Sequence, residues 1–299
     1  MILILMDSEK GCTNKTVETL SKILSAEKIQ AEAAFFGEIE FFIETGNVEA
    51  FINKEPIKKI STIFFRKVGI YRNEACVLAN IALKNKINFL DNLYVWSNEP
   101  SKMKQTFTLA FNDVSVPKTY YSPYYDNEKI QRAIEFLKLP VIVKLSRSNR
   151  GKGVFLARSE EEVQRILKDV DREAIIQEFI PNEFDYRILV LGGSAAIAEK
   201  RIHSEKEEFR NNVSLGAKEE FIEISEIPER IIKLAQIAAK VGNIQVAGVD
   251  IVSSGEESYV LEINRTPAFT HTGESSEIKQ LANFLIQCEG KNNESKKAN

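Results

Sequence analysis

The sequence predicts a mixed α/β (α+β) protein built from a small open-sheet domain and a larger, two-lobed second domain. In the first hundred residues, short β-branched or aromatic runs such as Thr62-Ile-Phe-Phe65 alternate with helical patterns such as Val17, Leu20 and Leu24. Beyond them, hairpins with glycine turns alternate with amphipathic helices. A chain of 299 residues, 43% apolar and 28% charged, is long and apolar enough to form packed cores.

Composition gives no support to several classes of function. The net charge of -3 offers no basic field for a nucleic-acid backbone or an acidic membrane surface, so we expect neither partner. The odd, widely spaced cysteines Cys12, Cys76 and Cys288 fit a reducing compartment, and we expect a cytoplasmic protein. The apolar run Met1–Met6 ends at Asp7 and predicts a buried strand rather than a signal peptide, and no segment is long enough for a membrane span.

The first domain is predicted to cover residues 1–98, because the chain turns polar and breaks at Ser97 to Pro100. A helix from Lys102 to Phe111 and an extended stretch from Val114 to Thr119 follow. The second domain is predicted to span residues 99–288. The tail at 289–299 has nothing apolar to bury and is expected to be disordered.

One lobe of the second domain is predicted at about residues 123–180. Apolar residues share one helical face at Ile130, Ala133, Ile134 and Leu137. Two strands, Pro140–Lys144 and Val154–Ala157, flank a glycine-containing loop and predict a hairpin. Ser159 and Glu162 then form a capping-box pattern before a further helix, and a strand returns from Ala174 to Glu178.

Two more hairpins are predicted further along the chain. One runs from Tyr186 to Ile202 and turns at Gly192-Gly193. A helix from about Pro228 to Gly242 separates it from the other, which pairs Val246–Val252 with Tyr259–Asn264. These strands carry most of the chemically informative residues.

Three oxygen donors converge on the last hairpin. Glu262 and Asn264 are two residues apart on a strand and share a face, and the preceding strand can bring Asp250 opposite them. Hard oxygen donors of this kind suit a magnesium ion that also binds nucleotide phosphates. The alternative is a solvated strand face, where charged residues commonly lie.

Cations occur at matching positions upstream. Lys144 ends an apolar strand, where an ammonium group is costly unless it meets an anion, and Lys102 begins a helix. The loop Ser146–Gly153 carries glycines and cations, and it fits either a flap over phosphates or an ordinary hairpin turn.

Two further segments have a functional and a structural interpretation. The strand Ala174–Pro181 could present backbone amides to an adenine edge or simply end at its proline. The cationic and amide side chains on the following strands could bind an anion or pair with nearby glutamates. They are Arg187, Arg201, Arg210 and Asn212.

Seven blocks in this order make the sequence resemble the ATP-grasp superfamily, and within it the RimK-type carboxylate-amine (glutamate) ligases, over roughly Lys102 to Phe269. The blocks are Lys102 with Val116-Pro-Lys-Thr119, Val143-Lys-Leu145 with Gly151-Lys-Gly-Val154, Gln177-Glu-Phe-Ile180, Asp185-Tyr-Arg187, Phe209-Arg-Asn-Asn212 with Gly216, Ala247-Gly-Val-Asp-Ile251, and Leu261-Glu-Ile-Asn264 with Pro267. The resemblance implies a small pre-ATP-grasp domain followed by a two-lobed ATP-grasp fold.

The resemblance also implies roles for individual residues. Metal ligation, of Mg²⁺ with Mn²⁺ as a substitute, would fall to Asp250, Glu262 and Asn264. Lys102 and Lys144 would contact the ATP phosphates, with Gly151 and Gly153 in the flap. Adenine would be bound around Gln177, Glu178, Phe179 and Ile180, ribose by Asp185, and the transferred phosphoryl group would lie beside Arg210 and Asn212. Arg201 and Arg210 are the candidates for stabilising charge in the reaction.

Ligation of a carboxylate to an amine suits this set of residues, because ATP can activate the carboxylate as an acyl phosphate without a protein nucleophile. We therefore expect an ADP-forming ligase for an amino acid, a peptide or a protein terminus, and a homo-oligomer is compatible with the sequence. The alternative is a nucleotide-binding regulator or scaffold without turnover. Arg265 and His271 lie where substrate selection would occur, but the sequence assigns them no role.

Overall fold

The computed structural model describes residues 1–45, 47–96, 101–145, 153–168, 173–202, 218–269 and 276–297. The chain divides into two compact units. The first contains residues 1–99, 243–246 and 265–299, and the second contains residues 100–242 and 247–264. Within the described ranges, every helix is too short or too polar to cross a membrane.

The helices and strands are numbered in chain order. The helices are α1 (Glu9–Cys12), α2 (Lys15–Ala26), α3 (Arg72–Lys84), α4 (Lys102–Phe111), α5 (Asn127–Leu137), α6 (Glu160–Leu167), α7 (Glu229–Val241) and α8 (Glu277–Lys297). The strands are β1 (Ile2–Met6), β2 (Ala31–Phe35), β3 (Ile39–Glu44), β4 (Asn47–Ile52), β5 (Glu55–Pro56), β6 (Thr62–Phe64), β7 (Asn88–Leu90), β8 (Thr119–Tyr120), β9 (Val141–Leu145), β10 (Val154–Ala157), β11 (Ala174–Glu178), β12 (Phe184–Leu191), β13 (Ser194–Ile202), β14 (Lys218–Ile222), β15 (Val246–Ser254) and β16 (Glu257–Asn264).

The first unit is built on a parallel sheet in the order β2-β1-β6-β7. Every residue of β1 is buried, which is typical of a parallel strand covered on both faces. Helix α2 buries Val17, Leu20 and Leu24, and Asn14 caps its first turn by accepting a hydrogen bond from the Val17 amide. A separate antiparallel sheet has the order β3-β4-β5.

The C-terminal segment differs from the sequence expectation. Helix α8 continues through residue 289 to Lys297, where a disordered tail was expected. Glu289 is buried and accepts hydrogen bonds from the hydroxyl groups of Ser61 and Thr62, at 2.7 and 2.5 Å. The polar composition of this segment could not reveal that one of its carboxylates has partners so distant in sequence.

The second unit begins with a lobe whose sheet has the order β10-β9-β11-β8. Its core combines the predicted face of α5 with α6 and the inner faces of β9 and β11. Strands β9 and β10 are antiparallel, as the hairpin pattern predicts. Ser159 accepts a hydrogen bond from the Glu162 amide, while the Glu162 carboxylate accepts one from the Arg158 amide.

A five-stranded antiparallel sheet, ordered β14-β13-β12-β15-β16, forms the rest of the second unit. Gly192 and Gly193 join β12 to β13 with φ of +58° and +88°, a pair of values that a tight hairpin turn requires and that glycine adopts without strain. Strands β15 and β16 pair as predicted, with a register shift after Asp250. Helix α7 packs on this sheet through Ile231, Ala235 and Ala238.

Candidate functional site

The predicted metal ligands lie together at one edge of the five-stranded sheet. Asp250 on β15 is directly opposite Glu262 on β16, and Gly248 is opposite Asn264. Directly opposed residues share a face of a sheet, so the two carboxylates and the amide leave the same side. The Asn264 amide nitrogen donates to Asp250 Oδ2 at 3.2 Å, which confirms that these two side chains meet.

Two arginines surround Asp250. Arg187 donates from Nε to Oδ1 at 2.8 Å and from Nη2 to Oδ2 at 2.9 Å, and Arg201 Nη2 lies 3.2 Å from Oδ2. Burial would raise the pKa of Asp250, but the two guanidinium groups outweigh it and lower the pKa to about 2. Asp250 is therefore an ionised, buried carboxylate.

Arg201 is also paired with Asp185, its direct neighbour across the β12–β13 hairpin. The two hydrogen bonds, from Nε and Nη2, measure 2.7 and 2.9 Å, and both side chains are almost wholly buried. Acid pairing, the structural alternative for the arginines, thus holds for Arg187 and Arg201, which donate hydrogen bonds to Asp250 and Asp185. The catalytic role of Arg201 and the ribose contact of Asp185 stay predictions.

The two predicted phosphate-binding lysines face the same carboxylates. Lys102, the first residue of α4, places Nζ 3.1 Å from Glu262 Oε1. Lys144 places Nζ 3.5 Å from the Leu261 carbonyl oxygen. Burial lowers the pKa of Lys144 to about 8, and the Lys102 ammonium adds to this effect while Glu262 and Asp250 oppose it. A lysine whose ammonium group is removed from water in this way gains from an anionic ligand.

A cleft opens beside these groups within the second unit. Its lining includes polar and apolar side chains. The polar ones include Lys102, Lys144, Asp250 and Glu262, and the apolar ones include Ile142, Phe179, Ile180, Val252 and Leu261. Ligand pockets in proteins commonly combine apolar walls with a few polar groups.

Gln177 lines the cleft and is 2% exposed. Its Nε2 donates to Thr119 Oγ1 at 2.8 Å, whereas its Oε1 is buried without a hydrogen-bond partner among the described residues. Buried acceptors are normally satisfied, so this oxygen calls for a donor from a ligand. An amino group on an aromatic base would supply one.

Glu178, the residue after Gln177, is held by two hydrogen bonds to the backbone of Lys118. The Glu178 amide donates to the Lys118 carbonyl at 3.0 Å, and the Lys118 amide donates to Glu178 Oε1 at 2.7 Å. Glu178 therefore uses its carboxylate to hold the backbone, while Phe179 and Ile180 line the cleft.

Several predicted residues fall elsewhere. Gly151, Arg210, Asn212 and His271 lie outside the described residues, as does most of the predicted flap. Gly153 is described, and its carbonyl accepts from the Leu145 amide at 2.8 Å. Arg265 belongs to the first unit, where its charge lowers the pKa of Asp91 against the effect of burial.

Sequence reasoning missed two residues that shape the site. The side-chain amide of Gln105 on α4 donates to the Ile263 carbonyl at 3.0 Å and accepts from the Ile263 amide at 2.9 Å. These are the two hydrogen bonds that a neighbouring strand would otherwise make with this residue of β16. Thr119 fixes the Gln177 amide. The sequence signal for Gln105 is its position one helical turn after Lys102. The signal for Thr119 is its position at the end of the Val116–Thr119 block.

The donor set fits a hard divalent cation. In the described part of the chain, no cluster of three or more His, Cys, Asp or Glu side chains that could hold a metal ion is found. Two carboxylates and an amide oxygen suit Mg²⁺ when phosphate oxygens complete its coordination. Asn264 uses its amide nitrogen toward Asp250, which leaves its oxygen as the atom for a cation.

Comparison with known proteins places this geometry in context. The family model of the RimK-like ATP-grasp domain matches residues 100–287. A coenzyme gamma-F420-2:alpha-L-glutamate ligase of Methanocaldococcus jannaschii is 32% identical over 215 residues, covering 67% of this chain and 69% of that protein. A probable alpha-L-glutamate ligase of Methanococcoides burtonii is 29% identical over 195 residues, covering 62% of each chain.

Solved structures share the fold at lower identity. The ATP-grasp ligase PsnB complexed with a minimal precursor has a TM-score of 0.72 at 16% identity, covering 96% of this chain and 98% of that chain. The D-alanine–D-alanine ligase of Bacillus anthracis complexed with ATP has a TM-score of 0.66 at 18% identity, covering 99% and 98%. These similarities confirm the predicted fold class and give no support to the alternative of a scaffold without turnover.

Proposed function

The chain belongs to the RimK-like ATP-grasp family, whose members use ATP and Mg²⁺ for carboxylate-amine ligation, and on this premise we propose that it joins a carboxylate to the amino group of an amino acid or peptide. The observation that carries the proposal is the convergence of Asp250 and Glu262 with two lysines at one cleft, with Asn264 hydrogen-bonded to Asp250. An ordinary solvated strand face would not bury Asp250, which is 6% exposed.

The lining of the cleft suits a nucleotide. The apolar side chains of Ile142, Val252 and Leu261 suit a purine ring, and the Gln177 oxygen needs a hydrogen-bond donor. Lys102 and Lys144 supply positive charge for the phosphates. Adenine contact by residues 177–180, ribose contact by Asp185 and phosphate contact by the lysines are parts of this proposal.

The reaction requires two displacements. A substrate carboxylate oxygen forms a bond to the terminal phosphorus of ATP while the bond to ADP breaks, which gives an acyl phosphate. The amine then attacks the acyl carbon, phosphate leaves, and the amine nitrogen gives up a proton. Lys102 and Lys144 would offset the negative charge on the transferred group, and the buried arginine pairs keep the acidic face rigid.

Asp250, Glu262 and Asn264 would hold Mg²⁺, which would supply charge neutralisation for the phosphate chain. Mn²⁺ is proposed as a substitute because it accepts the same hard oxygen ligands. Both oxygens of Asp250 accept hydrogen bonds from Arg187, so a cation bound there would share this carboxylate with the guanidinium group.

The nature of the substrates is proposed from the relatives. The two sequence relatives are named as glutamate ligases, which makes glutamate the first amine to test. The PsnB structure was solved with a precursor, so a peptide is the second substrate class. A homo-oligomer and a cytoplasmic location remain predictions from the sequence.

The test is an ADP-release screen with purified protein, ATP and Mg²⁺ over pairs of carboxylates and amines. The proposal predicts ADP release only with both substrates present, together with an amide product seen by mass spectrometry. Glu262→Gln should abolish release, whereas Glu256→Gln, at an exposed turn position of the same hairpin, should not. ATP binding without ADP release for any pair would contradict ligation.

A further inference from the structure

Three hydrogen-bonding groups form a short chain beside the cleft. Thr119 Oγ1 lies 2.8 Å from the Pro117 carbonyl oxygen and 2.8 Å from Gln177 Nε2. Thr119 and Gln177 are directly opposite each other on β8 and β11, so their side chains leave the same face of the sheet.

The polarity of this chain is fixed at one end. A carbonyl oxygen can only accept, so the Thr119 hydroxyl must donate its single proton to Pro117. Its oxygen is then restricted to accepting from Gln177, which therefore presents Nε2 to Thr119. The amide oxygen, Oε1, is directed away from Thr119 and left without a protein partner in the described ranges.

We propose that Thr119 is a specificity-determining residue of the nucleotide site, because it sets the orientation of the Gln177 amide and so makes Gln177 a hydrogen-bond acceptor for the base. This inference rests on the proposed function, since it concerns the nucleotide that the ligase consumes. Thr119 acts through Gln177 and is a positioning residue. Neither its hydroxyl group nor its backbone is required to touch the base.

The chemistry of the two purines makes the consequence specific. Adenine carries an amino group, a donor, at the position where guanine carries a carbonyl oxygen, an acceptor. An Oε1 held as the free acceptor of the Gln177 amide pairs with the first and repels the second. A Gln177 side chain free to rotate by 180° would offer its NH₂ group to guanine as readily as its oxygen to adenine.

The variant that tests this is Thr119→Val, which keeps the β-branched shape and removes the hydroxyl. The ratio of the dissociation constants for GTP and ATP is measured by calorimetry for the wild type, Thr119→Val and the control Thr119→Ser, which keeps a hydroxyl. The ratio should fall about tenfold in Thr119→Val, the value of one hydrogen bond, and stay unchanged in Thr119→Ser. If the valine variant does not fold, Thr119→Ala replaces it, and the same tenfold fall in the ratio of dissociation constants is expected.

Measurements in a Gln177→Ala background separate an effect on the orientation of the Gln177 amide from an effect on packing. In Gln177→Ala there is no amide to orient, so adding Thr119→Val should leave the GTP-to-ATP ratio unchanged. A tenfold fall in that background would show that Thr119 acts by another route and would overturn the inference.

The outcomes distinguish this inference from the proposed function. A wild type that prefers ATP and keeps the same preference in Thr119→Val and Thr119→Ala contradicts the role of Thr119 alone. A wild type that prefers GTP overturns the orientation argument. Binding of neither nucleotide by the wild type contradicts the proposed function and this inference with it.

Discussion

Arg187 donates one hydrogen bond to each carboxylate oxygen of Asp250, at 2.8 and 2.9 Å, within a strand pair that buries both side chains. The negative charge of Asp250, the proposed metal ligand, is thus neutralised by cations of the protein itself. This arrangement avoids an uncompensated buried charge, and it means that Asp250 serves the fold as well as the site.

Asp250→Asn should therefore lose both stability and function. Removing one member of a buried ion pair costs about 3–5 kcal/mol, because Arg187 would lose both hydrogen bonds to its carboxylate, while Arg201 would keep only Asp185. Glu262→Gln should lower the free energy of unfolding by about 1 kcal/mol or less, since Glu262 is 43% exposed. Urea unfolding of both variants in EDTA measures the difference. Equal stabilities for the two variants would contradict the buried pairing of Asp250.

Arg201 and Asp185 should behave as one unit in a double-mutant cycle. Asp185→Asn and Arg201→Met should each lower the free energy of unfolding by about 3–5 kcal/mol, and the double variant should lose much less than their sum. The exposed pair Arg132 and Glu128, at 2.6 Å, is the matched control, and its coupling energy should be close to zero. Additive losses at Arg201 and Asp185 would mean that their contact carries no coupling.

Asp91 should make stability depend on pH in the first unit. Burial raises the pKa of Asp91 to about 7, although the amides of Gln245 and Val246 and the charge of Arg265 lower it. Between about pH 4 and 7 the folded protein then holds a proton that the unfolded chain has lost. The contribution of Asp91 to the free energy of unfolding therefore falls as pH rises, by about 1.4 kcal/mol per pH unit.

Asp91→Asn removes this titration and keeps Oδ1, which accepts from both amides. The stability of the wild type relative to Asp91→Asn should decline from pH 4.5 to 7 and level off above it, as measured by urea unfolding at several pH values. Asp113→Asn, at an exposed position, should follow the wild type throughout. A difference that does not change with pH would contradict the raised pKa of Asp91.

The sequence predicted well those features that depend on periodicity and local order. The hairpin that brings Asp250 opposite Glu262 follows from two alternating runs and a turn, and the register agrees with it. The same reasoning located Lys102 and Lys144, because a lysine at the start of a helix or the end of an apolar strand is visible in the sequence.

The sequence could not predict which of several possible partners each charged side chain contacts. Arg187 and Arg201 could have paired with many nearby acids, and only the packed sheet selects Asp250 and Asp185. The same limit applies to Glu289, whose partners Ser61 and Thr62 lie more than 220 residues away. Hydrogen bonds between distant segments depend on tertiary packing and leave no periodic signal.

Gln105 should control the affinity of the site for its cation without touching it. Its side-chain amide makes both hydrogen bonds with Ile263, the residue between Glu262 and Asn264, and so holds the outer edge of β16. Gln105→Met removes both bonds while keeping the length of the side chain. The change leaves a backbone donor and acceptor of β16 without partners, which costs about 1–3 kcal/mol.

We expect Gln105→Met to raise the Mg²⁺ concentration that gives half-maximal thermal stabilisation of the ATP-bound protein about tenfold, since part of that cost is recovered by water. Thr108→Val, one turn further along α4, is the control and should leave the Mg²⁺ midpoint unchanged. The affinity for ATP without Mg²⁺ should be similar in all three proteins, because Gln105 is not among the residues that line the cleft. An unchanged Mg²⁺ midpoint in Gln105→Met would show that β16 holds its ligands in place without support from α4.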